Sequence, residues 1–145
     1  MELEDLKAES ARLSGWAHVA TVSGSGRPYV TPVHPAWDGD TLVALVSTES
    51  VKAKNVAAQP TVSVHWQVGE DSGFDSLILW GQARVLDDVE SKRRLWDGVF
   101  DYDLNAFAPG GPDGSPETGF LEITPEKIVL LRMYGMNGRE EWRAG

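Results

Sequence analysis

Lys52 and three hydroxyl side chains just before it form the best candidate anion site in the sequence. Ser47, Thr48 and Ser50 follow an apolar run and precede a helical pattern that contains Lys52. The first amides of a helix are unpaired donors with a partial positive charge, so they bind anions readily. A phosphate at this corner would accept hydrogen bonds from these amides, from the hydroxyls and from the Lys52 ammonium. Lys54 lies about 200° around the helix from Lys52 and should not reach the same anion. The alternative is that Ser47 or Thr48 only caps the helix and Lys52 is solvated.

The three histidines do not form a metal-binding pattern. His18, His34 and His65 fall in three different predicted strands, with no i, i+4 pair and no nearby carboxylate motif. We therefore predict no metal site and expect ordinary core or surface imidazoles. His34 differs from the other two, because it ends the stretch Thr31–Val33 and can face a bound ligand.

Other catalytic patterns are weak or missing. Ser50-Val51-Lys52 has the spacing of a serine–lysine pair, but hydrolases of that kind need further motifs that the chain lacks. No nucleotide-binding glycine motif and no G-x-S-x-G nucleophile motif is present. Without cysteine, the chain can form neither a thiolate metal site nor a cysteine nucleophile. Redox chemistry would therefore require a bound cofactor.

The composition predicts one globular domain located in the cytoplasm. The 145 residues are 41% hydrophobic and 24% charged, and no apolar run approaches the roughly 20 residues of a membrane helix. Residues 1–10 carry four acidic side chains where a signal peptide needs a basic start and an apolar stretch. The net charge of −9 disfavours nucleic acid, since the only basic cluster, Lys92 to Arg94, has acidic neighbours.

A strand–helix–strand unit is expected to position Lys52. Thr41–Val46 is almost entirely apolar and predicts a buried central strand. The helix that begins near Val51 is stopped by Pro60, and Thr61–Trp66 then alternates as a strand. Lys52 thus lies at the junction between a buried strand and a short helix.

The remaining patterns predict a barrel with helices packed outside. Asp87 and Glu90 have capping-box spacing, Gly81 indicates a bulge, and Pro32 places its strand at an edge. We predict a mainly β fold with flanking helices, a six-stranded antiparallel Greek-key barrel. The expected elements are a helix within residues 1–14, strands over Trp16–Ser23, Pro28–His34, Ser76–Leu86, Gly119–Ile123 and Ile128–Met133, and a turn at Thr124-Pro125.

Two segments fall outside this pattern. The proline- and glycine-rich stretch 108–118 is long for a loop in a compact domain, so we expect it to be functional or mobile. Residues 134–145 are expected to form a C-terminal tail, whose Trp142 would dock on another surface, for example that of a partner subunit.

These segments together resemble the pyridoxamine 5′-phosphate oxidase-like, FMN-binding split-barrel superfamily. The resemblance covers about residues 11–133 and rests on the order and spacing of its motifs. Its later part is similar to the general stress protein branch. The motifs that carry it are GRPYVTPV, the DGD turn, TLVALVST, SVKAKNV, QPTVSVHW, LILWGQARVLDDVESKRRLWDGVF and FLEITPEKIVLL.

The resemblance implies FMN as the cofactor and a homodimer with the cofactor site at the subunit interface. Lys52 matches the phosphate-binding lysine, and Ser76 lies near a polar residue that reaches in from the other subunit. Val51 stands where the family often has a second cation, which predicts a lower FMN affinity. The candidate cofactor-binding residues are Thr31, Pro32, Val33, His34, Val46, Ser47, Thr48, Ser50, Lys52 and Ser76.

The implied activity is a flavin-dependent oxidoreductase acting on an unidentified small molecule. Members of the same superfamily use the deazaflavin F420, but its acidic tail favours a basic groove, and the charge of −9 argues for FMN. The substrate-binding residues of true pyridoxamine phosphate oxidases are not recognisable, and no general acid can be named. A non-catalytic flavin-binding or stress-associated module, or a barrel that has lost its cofactor, therefore remains as an alternative.

Overall fold

The computed structural model describes residues 1–145 as one antiparallel sheet flanked by three helices. The sheet has eight strands rather than six, and the mainly β class with flanking helices is confirmed. None of the helices is long and apolar enough to cross a membrane. The helices are α1 (Leu3–Leu13), α2 (Val51–Ala58) and α3 (Val89–Trp96), and the strands are β1 (Ala17–Val22), β2 (Pro28–Val33), β3 (Ala36–Asp38), β4 (Thr41–Ser47), β5 (Thr61–Trp66), β6 (Ser76–Leu86), β7 (Thr118–Leu131) and β8 (Arg139–Arg143).

The strand order places the candidate site near an edge of the sheet. The order is β2-β1-β5-β6-β7-β4-β3, and β8 also pairs with β7. Pro32 has no N–H to donate, which explains why β2 lies at the edge, as predicted. β4 lies between β3 and β7, which confirms the buried strand before Lys52. Because β4 is hydrogen-bonded to a strand on each side, its end fixes the position at which α2 begins.

Alternating side chains build two hydrophobic clusters on the two faces of the sheet. A cluster of 19 buried residues contains Leu121 and Ile123 of β7, and it also receives Val56 of α2. A second cluster of seven residues contains Phe120 of β7 and packs α3 against the sheet through Leu95. Because adjacent residues of β7 enter different clusters, this strand joins the two cores.

β7 is one continuous strand, so the predicted turn at Thr124-Pro125 is wrong. Trp80 pairs with Lys127 and Gly81 with Pro125, which leaves Glu126 as the extra residue of a bulge. A bulge tolerates proline because the ladder is already interrupted there. The bulge predicted at Gly81 is confirmed.

Several predicted boundaries need correction. The cap of α3 is Asp88, whose carboxylate accepts a hydrogen bond from the Ser91 amide, and not Asp87. Met133 lies beyond the strand in a turn with left-handed backbone, φ 49°. The segment after residue 134 is not a free tail, because β8 pairs with β7 and Trp142 packs against the large cluster of its own chain.

Candidate functional site

The corner between β4 and α2 is capped by Ser50. The Ser50 hydroxyl accepts a hydrogen bond from the Ala53 amide at 3.3 Å and donates one to the Ser47 carbonyl at 2.7 Å. The Thr48 hydroxyl donates to the Glu117 carbonyl, and the Ser47 hydroxyl accepts from the Glu49 amide. The cap is therefore Ser50 rather than Ser47 or Thr48, and all three hydroxyls already have partners within the chain.

Lys52, in the first turn of α2, lines a cavity of about 290 Å³. The ammonium takes part in no salt bridge or hydrogen bond within the chain, and burial lowers the pKa of Lys52 below its usual value. Lys54 is exposed on another face of the same helix. Lys52 is therefore a half-buried cation that lines the cavity and has no counter-ion within the chain.

The Lys52 cavity has walls from five parts of the chain. Its eight lining residues include Lys52, Leu45 of β4, Pro32 and Val33 of β2, and the next residue, His34. The structure thus brings together four of the predicted site residues: Pro32, Val33, His34 and Lys52.

Three aromatic residues that the sequence did not indicate complete these walls. Trp16 precedes β1, while Tyr102 and Phe107 belong to the segment between α3 and β7, residues 97–117. Phe107 could have been suspected because it immediately precedes the predicted 108–118 loop. Trp16 and Tyr102 carry no local signal, because only tertiary packing brings them to the cavity.

His34 lies between two aromatic rings. The His34 ring centroid is 4.7 Å from that of Trp16 and 4.6 Å from that of Tyr102. Its Nε2 lies 3.3 Å from an Asp101 carboxylate oxygen, a pair that is ionic only when the imidazole is protonated. Burial raises the pKa of Tyr102, so its phenol stays neutral near pH 7. These three tilted rings form an aromatic wall in the same cavity as the Lys52 ammonium.

The 97–117 segment is fastened to α3 by polar contacts. Lys92 is buried and donates to the Ser115 carbonyl at 2.7 Å, and Arg93 binds the Asp113 carboxylate through two nitrogens. The Trp96 indole N–H donates to the Asn105 side chain at 2.8 Å. These contacts hold the part of the chain that supplies Tyr102 and Phe107.

The other predicted site residues lie outside the Lys52 cavity. Val46 is a core residue, and Ser76 is buried with its hydroxyl 2.7 Å from Nε2 of His65. Thr31 neighbours Pro32 but does not line the cavity, and its hydroxyl is buried without a hydrogen-bond partner. Since buried hydroxyls nearly always have partners, the Thr31 hydroxyl is available for a hydrogen bond to a further group.

The arrangement is suited to a ligand with an anionic end and a flat ring. The unpaired cation and those first-turn amides of α2 that the Ser50 cap leaves free could bind the anionic end, and the aromatic wall provides a stacking surface. Concave cavities with mostly apolar walls and a few polar groups are the usual form of small-molecule sites.

Comparisons with solved structures give the same fold over nearly the whole chain. A protein related to general stress protein 26 of Bacillus subtilis, from Clostridium acetobutylicum, is 19% identical with a TM-score of 0.77, covering 99% of this chain and 96% of its own. A pyridoxamine 5′-phosphate oxidase-related, FMN binding protein from Nostoc punctiforme is 15% identical with a TM-score of 0.69, covering 99% and 95%. An F420 reductase is 22% identical with a TM-score of 0.59, covering 81% and 90%.

Sequence comparison identifies the family. No curated protein sequence is significantly similar to the chain. The family model described as pyridoxamine 5′-phosphate oxidase matches residues 7–132, which include every residue of the Lys52 cavity. The chain therefore belongs to the pyridoxamine 5′-phosphate oxidase family.

Proposed function

We propose that the chain is an FMN-dependent oxidoreductase that holds the cofactor in the Lys52 cavity, between two copies of the chain. The family supports this function, and the structurally similar Nostoc punctiforme protein is described as FMN binding. The observation that carries the proposal is Lys52, a half-buried ammonium whose pKa is lowered by burial and which has no counter-ion. Such a charge costs folding free energy unless a ligand compensates it.

The residues of the cavity supply groups of the kinds that the two ends of FMN require. Lys52 and the first-turn amides of α2 would bind its phosphate, with Val51 offering no second charge. The aromatic wall around His34 and the β2 backbone at Pro32 and Val33 would bind its ring. The buried hydroxyl of Thr31 would gain a partner from the cofactor or from the second subunit.

Bound FMN would supply hydride or electron transfer. The side chains of the protein would bind the cofactor, orient it and shield it from water. Lys52 neutralises the anionic end and fixes the orientation of the ligand. Trp16, Tyr102 and Phe107 would exclude water from the ring side of the cavity once a second copy covers them. His34, whose Nε2 lies 3.3 Å from an Asp101 carboxylate oxygen, is placed to form a hydrogen bond at the cavity wall.

A second copy would close the cavity from outside. Trp16 is 56% exposed and Phe107 70% exposed, so the aromatic wall is incomplete in one chain. The edge strand β2 also exposes Tyr29 and Val30. In the proposed dimer, the region of Ser76 approaches the partner's Lys52 cavity. Light scattering at low micromolar concentration tests this, and a monomeric mass with FMN bound contradicts the interface site.

The identity of the cofactor is tested by mass spectrometry of the small molecule released when the natively purified protein is denatured. We expect FMN. Release of F420 would keep the redox function and replace the cofactor. Protein that releases neither molecule, and whose fluorescence does not respond to added FMN or F420, contradicts the proposal.

Lys52→Ala tests the site itself. Loss of a hydrogen bond to a charged group should weaken FMN binding on the order of 10- to 100-fold. Lys54→Ala removes an exposed cation from the same helix and is the matched control, with FMN affinity close to that of the unchanged protein. Fluorescence quenching of FMN measures both variants, and equal affinities would overturn the role of Lys52.

Catalysis is tested separately from binding. The FMN-loaded protein should be reduced by NAD(P)H or another hydride donor and then reoxidised by an added acceptor, at rates above those of free FMN. Tight FMN binding without such turnover would contradict the oxidoreductase and support a flavin-storing or flavin-sensing module.

A further inference from the structure

A second and larger cavity lies on the other side of His34. Its volume is about 380 Å³, and it is bounded by the end of α1, the residues from His34 to Trp37 and the side chains of Leu42, Trp66, Val99 and Asp101. We refer to it as the Trp37 cavity. His34 is the only residue that lines both this cavity and the Lys52 cavity, so the imidazole separates the two.

The side chains that form the walls of the Trp37 cavity are held in place by contacts within the chain, before any ligand binds. The indole rings of Trp37 and Trp66 are nearly parallel, at 8°, with centroids 6.5 Å apart. The Trp37 indole N–H donates to the Ser10 hydroxyl at 2.9 Å, and that hydroxyl donates to the Lys7 carbonyl at 2.6 Å. This chain of hydrogen bonds fixes Trp37 on α1. A cavity of this volume with rigid aromatic walls has the form of a ligand site rather than of a packing defect.

The polar groups of the cavity determine what it can bind. The Ser14 hydroxyl accepts a hydrogen bond from the Trp16 amide, which leaves its own proton free to donate. Asp101 is the one carboxylate in the lining, and neither lysine nor arginine lines the cavity. The molecule also carries a net charge of −9. These charges disfavour carboxylates and phosphates and favour a neutral or cationic ligand, in contrast to the Lys52 cavity.

We propose that the Trp37 cavity binds a small aromatic amine. The aromatic ring lies against Trp37 and Trp66, and the ammonium faces Asp101. Because Asp101 is largely exposed, its charge adds modest selectivity, and the indoles supply most of the affinity. The proposal needs no cofactor in the Lys52 cavity, so it can fail or succeed independently of the FMN-dependent function.

Three matched probes test the proposal: 2-phenylethylamine, 2-phenylethanol and phenylacetate. The six indole N–H signals in ¹H–¹⁵N NMR spectra of the purified protein report where each probe binds. The Trp37 and Trp66 signals should shift saturably with the amine, and those of Trp80 and Trp142 should not. The amine should bind at least about fivefold more tightly than phenylacetate, with the alcohol between them.

Variants separate the Trp37 cavity from other sites. Ala11→Phe places a ring at its mouth and should abolish the shift, whereas Ala57→Phe, on an exposed position of α2, should leave it unchanged. Asp101→Asn should weaken amine binding about two- to fivefold without changing alcohol binding. Lys52→Ala should have no effect.

Three results would overturn the proposal. The first is the absence of a saturable shift at Trp37. The second is equal or tighter binding of phenylacetate, since the cavity has no cation to hold it. The third is loss of amine binding in Lys52→Ala with retention in Ala11→Phe, which would place the probe in the neighbouring cavity.

Discussion

At the residue scale, burial lowers the pKa of both Lys52 and His65. Burial disfavours the charged form of each, so the pKa of Lys52 and the pKa of His65 both lie below their usual values. His65 also faces His18 across the β1–β5 pair, and the positive charge of His18 lowers the pKa of His65 further. Lys52 has no charged or hydrogen-bonding partner within the chain, whereas His65 has the Ser76 hydroxyl as a neutral partner.

His65 should make the protein less stable at mildly acidic pH. Its pKa in the folded chain lies below the ordinary value of 6.5, so the unfolded chain takes up the proton first as the pH falls. Stability should therefore decrease from about pH 6.5 downward and level off below the folded-state pKa. His65→Gln, which can still hydrogen-bond to Ser76, should flatten this slope in urea denaturation series.

The effect of His65 on stability can be distinguished from that of the carboxylates by the pH range in which it occurs. Burial alone would raise the pKa of Asp75, but hydrogen bonds from the Met133 amide, Arg12 and Arg132 hold it below its usual value of 3.8. The contribution of Asp75 to stability therefore disappears only at lower pH. An unchanged slope between pH 5 and pH 7 in His65→Gln would assign the acid loss to another group.

At the element scale, Gly81 shows why the bulge between β6 and β7 has a fixed position. A Cβ atom at Gly81 would lie 2.3 Å from the Thr124 carbonyl oxygen, a backbone atom of the neighbouring strand. The bulge at Glu126 is directly opposite, so neither strand can shift to make room cheaply. A glycine within a strand pattern predicted this bulge correctly, because it is a local signal with a steric cause.

Gly81→Ala should lower the free energy of unfolding by about 1–3 kcal/mol, because the added methyl group forces the two strands apart. Gly69→Ala is the matched control, since its added Cβ would meet nothing closer than 4.0 Å and its φ of −149° suits any residue. That control should change stability by less than about 0.5 kcal/mol. Chemical denaturation measures both, and equal stabilities would contradict the steric explanation.

Elements with local signals could be predicted, and those that depend on distant pairing could not. The strand before Lys52 and the start of α2 follow from an apolar run and a serine cap. β8 has the sequence REEWR, which resembles a polar tail and becomes a strand only because β7 offers a free edge. Pro125 suggested a turn because proline rarely continues a strand, but the bulge accommodates it. The candidate site was predicted only in part for the same reason. Lys52 and His34 were named from local patterns, whereas Tyr102 reaches the cavity through tertiary packing alone.

At the scale of the whole molecule, charge opposes the proposed dimer. Each chain carries −9, so two copies repel each other at low ionic strength. Salt screens this repulsion over about 8 Å at physiological strength while leaving apolar contacts intact. The dimer dissociation constant, measured by light scattering across a dilution series, should therefore decrease when salt is raised from low to physiological concentration. A dimer that dissociates on adding salt would instead indicate an interface held by ion pairs.

The 97–117 segment divides specificity from folding residue by residue. Phe107, which is 70% exposed, touches the candidate ligand site, whereas Leu104 and Ala108 of the same segment are buried in the second hydrophobic cluster. Exchanges at Phe107 and at its exposed neighbour Ala106 can therefore alter which ring is accepted while the cluster beneath stays filled. Diversification of chemistry on this scaffold would be concentrated at such outward positions, and libraries randomised there should yield folded proteins with new ligand preferences.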